Sequence, residues 1–333
     1  LTLCTTLAAC GGGAEEAAGT APESQTENKP TQSVSTGGQI MLAGEWPLTG
    51  AALEGDAPQH PVYVVKMDNT ASSAPQVGLG SADMIVEELV EGGLTRLAAF
   101  YYSDIPDQVG PVRSMRASDI GIVKPVAASL VASGGAKPTI ARLADAQVTT
   151  SIEGAAGFLR SDDRLAPYNL FMALSELADK PEEGWQAPAS SYLAFGDEAA
   201  FEGTIPVDQI TATFSPGHST PWKLTGDGWT RPASFAEEGD DFVADNVLLL
   251  KVKVGNAGYK DPAGNPVPET KFYGEGDAVL VHGSKALRAT WSKGDASSEL
   301  TLEDANGDEV TVPVGRTWIE LVPAKDGAVV LSK

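Results

Sequence analysis

Two kinds of residue in this sequence could carry chemistry: a cysteine near the start, and a set of arginines and acids between residues 68 and 169. Cys10 follows Leu7-Ala-Ala, and three glycines come next. Small residues at 8 and 9 suit an extended peptide entering a signal peptidase, and the apolar Leu7 suits a pocket there. The thiol would then receive a diacylglyceryl group, so the segment reads as a lipobox with Cys10 as the lipidation site. The second set comprises Asp68, Glu87, Glu88, Glu91, Arg96, Arg113, Arg116, Asp119, Asp163, Arg164 and Asn169. Arginine presents a planar fork of donors suited to carboxylate or phosphate. Arg96, Arg113, Arg116 and Arg164, with Asn169, Asp68, Glu91 and Asp163, are therefore the ligand-binding candidates for an anionic or sugar-containing group. The competing reading is that they are internal salt bridges, with Glu91 and Arg96 tying one hairpin. Carboxylates drawn from Asp68, Glu87, Glu91 and Asp163 would also allow acid–base attack on a glycan, which needs two of them about 5 to 9.5 Å apart. No catalytic residue is assigned.

Other constellations are weak. His60, His218 and His282 stand far apart without a second ligand at metal spacing, so no metal site is expected. His60 and His218 read as solvated loop residues. Asp304-Ala-Asn-Gly-Asp308 matches a calcium loop only in part and fits a hairpin turn better. Gly217-His-Ser-Thr-Pro221 lacks the closing glycine of a nucleophile elbow. Gly78-Leu-Gly80 is too short a match to mean nucleotide binding, and no cofactor is expected. Trp222 and Trp229, around Gly226-Asp-Gly228, are the better exposed tryptophans for stacking on a sugar, whereas Trp291 and Trp318 read as core.

The elements that must position these residues lie in 333 residues that are 42% hydrophobic, enough for two ordinary domains. Residues 1–9 read as a truncated signal peptide, the sequence opening inside it. Residues 10–44 read as the lipidated cysteine and a flexible tether, rich in Ser, Thr, Pro, Gln and Gly. Such a tether reaches about 30 Å. The body would sit on the extracytoplasmic face of a cell membrane, held by the lipid on Cys10. Two acyl chains anchor stably where one does not. With Cys4 removed and Cys10 alkylated, no disulfide remains to staple the body. A net charge of −22 repels phosphate backbones, so nucleic acid is not an expected partner. No apolar run reaches membrane-spanning length.

Strands are expected over 62–67, 84–90, 97–102 and 127–133, and helices over 116–123, 138–146 and 170–180. Beyond residue 205, short runs at 210–214, 246–254, 278–282, 287–291 and 317–322 read as strands, and Asn306-Gly307 as a hairpin turn. The fold class is α+β: an N-terminal mixed domain over 45–205, sheets with flanking helices, and a smaller, mostly β domain over 206–333.

Several motifs in one order resemble the DUF3048 or YerB-like lipoprotein family. They include Trp46-Pro-Leu-Thr-Gly50, Lys66-Met-Asp68-Asn69, Val90-Glu-Gly-Gly-Leu-Thr-Arg96, Gly110-Pro-Val-Arg-Ser-Met-Arg116, Asp163-Arg-Leu-Ala-Pro-Tyr-Asn-Leu170 and Gly315-Arg-Thr-Trp318. The resemblance covers the chain from about Trp46 onward. It implies the same two-part architecture on a lipoprotein and leaves the activity open. The expected function is that of a membrane-anchored binding protein for a cell-wall polymer, an anionic or sugar ligand, or an envelope protein. The alternative is a carboxylate-dependent hydrolase or transferase acting on cell-wall glycans.

Overall fold

The computed structural model describes residues 44–261 and 264–333. Cys10 and the tether up to residue 43 lie outside the described residues. In chain order the first segment holds β1 (Tyr63–Asp68), β2 (Met84–Leu89), β3 (Thr95–Tyr101), α1 (Asp119–Val123), β4 (Ser129–Ala132), α2 (Lys137–Asp145), β5 (Thr150–Ile152), β6 (Phe158–Arg160), β7 (Leu170–Met172), α3 (Leu174–Ala178) and β8 (Phe195–Gly196). The rest is strands: β9 (Ile205–Pro206), β10 (Gln209–Ser215), β11 (His218–Thr225), β12 (Gly228–Thr230), β13 (Asn246–Lys260), β14 (Pro266–Lys271) and β15 (Gly274–His282). They continue as β16 (Lys285–Lys293), β17 (Thr301–Glu303), β18 (Val312–Pro313), β19 (Thr317–Pro323) and β20 (Ala328–Ser332). The class is α+β, with α1, α2 and α3 in the N-terminal segment and a β-rich remainder.

One sheet of order β17-β16-β15-β13-β19-β2-β3-β1-β4-β5 joins both segments. Strand β19 runs parallel to β13 on one side and to β2 on the other. Strand β2, paired with β3 on one edge, therefore has its other edge completed by residues 317–321. The boundary expected near residue 205 falls at β9, which pairs with β16.

Strands β1, β3 and β19 are buried along their whole length, which explains their nearly continuous apolar sequences. Alternation divides their side chains between two cores. Val64, Val86, Phe100, Leu248 and Leu321 face one core, with Ile122 of α1 and Leu143 of α2. Val65, Ile85, Leu97, Leu249 and Trp318 face the other, with Ile210 and Phe214 of β10. A four-stranded sheet, β12-β11-β10-β20, contributes to this second core. Trp222 and Trp318 meet edge to face there, with centroids 5.1 Å apart.

Two expectations change. Residues 170–180 divide into β7 and α3, because Leu170-Phe-Met172 pairs with Phe158–Arg160. The helix expected from Arg116 begins only at Asp119.

Candidate functional site

The apolar pattern of the central sheet is interrupted at Lys66, Glu87, Glu88 and Glu320, each fully buried. Glu87 and Glu88 are consecutive on β2, so their side chains leave by opposite faces. Each enters its own buried polar network.

On the α1 face, Lys66 Nζ lies 2.7 Å from Glu88 and 2.7 Å from Asp119. The Ser118 hydroxyl also donates to Glu88, and Asp119 accepts the Arg116 backbone N–H at 2.6 Å. Burial opposes the charge on Lys66, yet Asp119 and Glu88 together hold its pKa above the ordinary value. Burial opposes ionisation of Glu88 as well, but Lys66 and Ser118 keep its pKa low. For Asp119 burial prevails over the attraction of Lys66, with Glu88 adding to the rise.

Three arginines gather beside this triad. Register places Asp68 of β1 and Glu88 of β2 on either side of Arg96 of β3. Arg113 reaches Asp68 at 2.8 Å and lies over the Tyr168 ring. Arg116 pairs with Glu91 at 2.5 Å. Arg96 is 9% exposed and donates to the Ser114 carbonyl at 2.8 Å. Among the described residues no carboxylate lies within ion-pair distance of it. Its pKa is pulled down to about 10, first by burial and then by repulsion from Arg116 and Arg113, which outweigh Glu91 and Asp68. Counted over the whole face, four cations meet four carboxylates; the imbalance is local, at Arg96.

The backbone that delivers these side chains differs from the expected helix. Residues 110–113 are extended along β1, with Asp68 N–H donating to Pro111 at 3.0 Å and Arg113 N–H to Lys66 at 2.7 Å. Arg113 and Arg116 converge because this extended run turns into α1, and not through helical spacing. The turn before Arg96 uses left-handed Gly92 and Gly93; a Cβ on Gly93 would meet Ser215 Oγ at 2.8 Å. Glu91 is drawn to Arg116 rather than to Arg96.

Arg164, Asn169 and Asp163 do not join the cluster. Arg164 donates to the carbonyls of Ser73 and Pro75 at 3.0 and 2.6 Å and covers the Phe171 ring. Asn169 accepts from Arg160 and donates to Ser161, and Asp163 is exposed. They shape the loop whose Pro167 carbonyl and Tyr168 ring hold Arg113.

On the opposite face, Glu87 accepts from Asn69 Nδ2 at 3.0 Å and Thr220 Oγ1 at 2.9 Å. His218 Nε2 stands 3.2 Å from the same oxygen. Glu320 lies level with Glu87 in the parallel register and accepts from Trp222 Nε1 at 2.7 Å. The second oxygen of each carboxyl has no hydrogen-bonding partner among the described residues. Burial, then the Glu87 charge, raises the Glu320 pKa well above the carboxylate range. Burial opposes the Glu87 charge, but His218 and Thr95 keep its pKa low. Glu320 is thus the protonated member and Glu87 the anion. Two expectations are corrected here: Trp222 and Trp229 are buried core residues, and His218 sits at the start of β11 against Glu87.

Lys66 and Glu320 were not among the sequence candidates. Their signal is a single charge inside a strand that is otherwise apolar on both faces. As for glycan hydrolysis, Asp68 and Glu91 are each tied to a different arginine. Glu87 is sealed in the core and Asp163 is out on the loop. These four offer no accessible acid–base pair.

The comparisons agree with this architecture. Residues 48–186 match the model of the "Protein of unknown function (DUF3048) N-terminal domain", and residues 214–319 match that of its C-terminal domain. A stretch of 70 residues is 41% identical to a Bacillus subtilis (strain 168) protein named "Putative lipoprotein YerB". That stretch spans 21% of this chain and 21% of the relative, about a fifth of its length. The crystal structure of YerB protein from Bacillus subtilis superposes with a TM-score of 0.71 at 20% identity, over 87% of this chain and 99% of that one, a likeness of fold. With both of its domain models matched in order, the chain belongs to the DUF3048 family.

Proposed function

We propose that this protein is a lipid-anchored, extracytoplasmic binding protein that captures a small anionic group of an envelope component at Arg96, Arg113 and Arg116. The lipobox at Cys10 and the name of the Bacillus relative support the anchoring. The observation that carries the binding reading is Arg96: a guanidinium nine-tenths buried, without a carboxylate partner among the described residues, crowded by two further arginines. A buried charge left unpaired costs several kcal/mol, and an arriving anion would offset that cost. Arg113 and Arg116, each already holding one carboxylate, would complete a donor set around it. The net charge of −22 repels extended polyanions, which favours a compact carboxylate or phosphate group over a long charged polymer.

Calorimetric titration of the full chain carrying Cys10→Ser with inorganic phosphate and with acetate tests this reading. Saturable binding, weakened about tenfold or more by Arg96→Gln, is expected; a tenfold loss corresponds to about 1.4 kcal/mol. Absence of binding of either anion, or binding indifferent to Arg96→Gln in a folded variant, contradicts it.

A further inference from the structure

A second site lies away from the arginines, where the β4 and β5 edge of the sheet meets the segment around Trp185. A cavity of about 460 Å³ opens there, within the size range of small-molecule pockets. Its lining includes Ser129, Gln147, Thr149, Trp185 and Gln186, with Lys124 as the one charged residue among the described residues.

Three independent features single it out. Ala127 and Gln147 have left-handed backbones, with φ of 49° and 57°, and among the described residues they are the non-glycine positions with positive φ. Both line this cavity. Such conformations cost L-residues about 1–2 kcal/mol each; here they close the helical turn Lys124–Val126 and α2, and both ends meet at this cavity. Secondly, the hydroxyls of Ser129 and Thr149 and the amides of Gln147 and Gln186 make no side-chain hydrogen bond within the described residues. Ser129 is 5% exposed and lines the cavity, while Gln147, Thr149 and Gln186 are exposed, so their polar groups are open to a ligand. Thirdly, Trp185 is half-buried, and neither its ring nor its indole N–H has a stacking or hydrogen-bonding partner among the described residues.

The chemistry of the lining selects the ligand. Lys124 donates to the Ala146 carbonyl at 2.9 Å and keeps its charge and two further N–H donors, which suit a ligand oxygen. Among the described residues no His, Cys, Asp or Glu lines the cavity, which leaves no ligand set there for a metal. Hydroxyl and amide groups able both to donate and to accept, beside an apolar ring with a polar edge, match a hydroxyl-rich ring. We infer that this cavity is a saccharide-binding site, with Trp185 as the stacking platform and Ser129, Gln147, Thr149 and Gln186 as hydrogen-bonding partners of the sugar.

The inference is independent of the arginine site. Its test is calorimetric titration of the full chain carrying Cys10→Ser with two neutral probes, the N-acetylglucosamine trimer and maltotriose. Saturable binding of either, weakened about tenfold or more by Trp185→Ala and by Gln147→Gly, and unchanged by Arg96→Gln, is the expected result. The Gln147→Gly variant removes the amide while suiting the left-handed backbone, so its fold is preserved even if Trp185→Ala proves unstable. Failure of both sugars to bind at millimolar concentration overturns the proposal. So does binding that survives Gln147→Gly, or capture at this edge of an added unstructured peptide in place of sugar.

Discussion

Replacing Glu320 by glutamine separates a shared-proton pair from an ordinary buried acid. Glu87 and Glu320 are both fully buried, and the proton on Glu320 is the one that lets them coexist. The Glu320 pKa is raised in the folded protein. Its contribution to stability is therefore complete below the unfolded carboxyl value and is lost as pH rises towards the folded value. Glu87 has a lowered pKa, so its contribution is present above the ordinary carboxylate value and is lost only in more acid solution. Between these limits one proton more is bound by the folded state than by the unfolded one. Linkage then sets a slope of about 1.4 kcal/mol per pH unit. Glutamine keeps an oxygen for Trp222 Nε1 and supplies an uncharged N–H to Glu87, without titrating. Urea unfolding of the wild type and Glu320→Gln between about pH 5 and pH 8 reads the difference directly, since other groups cancel. The variant should gain on the wild type by about 1.4 kcal/mol per pH unit until the folded pKa of Glu320 is passed. A pH-independent difference, or a variant that loses ground as pH rises, refutes the shared-proton account.

Lys66→Met should cost about 3–5 kcal/mol in chemical denaturation, because it strands Glu88 and Asp119 without a cation. Further replacement of Asp119 by leucine should recover part of that loss. Ala127→Gly should raise the melting temperature, with up to about 1 kcal/mol gained by relieving a left-handed alanine; a lowered melting temperature would speak against strain there. Expressed in bacteria with a lipoprotein signal peptide, the wild-type chain should partition with detergent-solubilised membrane and Cys10→Ser with the aqueous phase. Equal partitioning would remove Cys10 as the anchor.

Strands β1, β2, β3 and β19 were legible in the sequence because a strand buried on both faces must be a short, nearly unbroken apolar run. Their arrangement was not. The place of β19 between β13 and β2 depends on parallel pairing between distant segments, which no local pattern encodes. Leu170-Phe-Met172 fits the helical and the strand period alike, and only its pairing with Phe158–Arg160 decides between them. Of the site, the arginines were visible as residue types, and five of the eight candidates do meet: Arg96, Arg113, Arg116, Asp68 and Glu91. Arg164, Asn169 and Asp163 share their loop motif, but Arg164 is held by the Ser73 and Pro75 carbonyls, Asn169 by Arg160 and Ser161, and Asp163 is left in solvent. Trp222 and Trp229 flank a Gly-Asp-Gly turn that suggested exposure, yet β10, β11 and β12 turn both rings inward. Glu320 acquires its meaning only from Glu87 beside it, and Gln147 only from a backbone angle that its residue type does not announce.

Anion capture at this cluster requires Arg96 to be an uncompensated cation that an anion completes. Heteronuclear NMR of the guanidinium groups during titration of the full chain carrying Cys10→Ser with inorganic phosphate addresses this most directly. The Arg96 signals should shift saturably, together with those of Arg113 and Arg116, while Arg164, bound to the carbonyls of Ser73 and Pro75, stays unmoved. Unchanged Arg96 signals at saturating phosphate, or shifts confined to Arg164 and other peripheral arginines, would contradict the assignment of this cluster as an anion site.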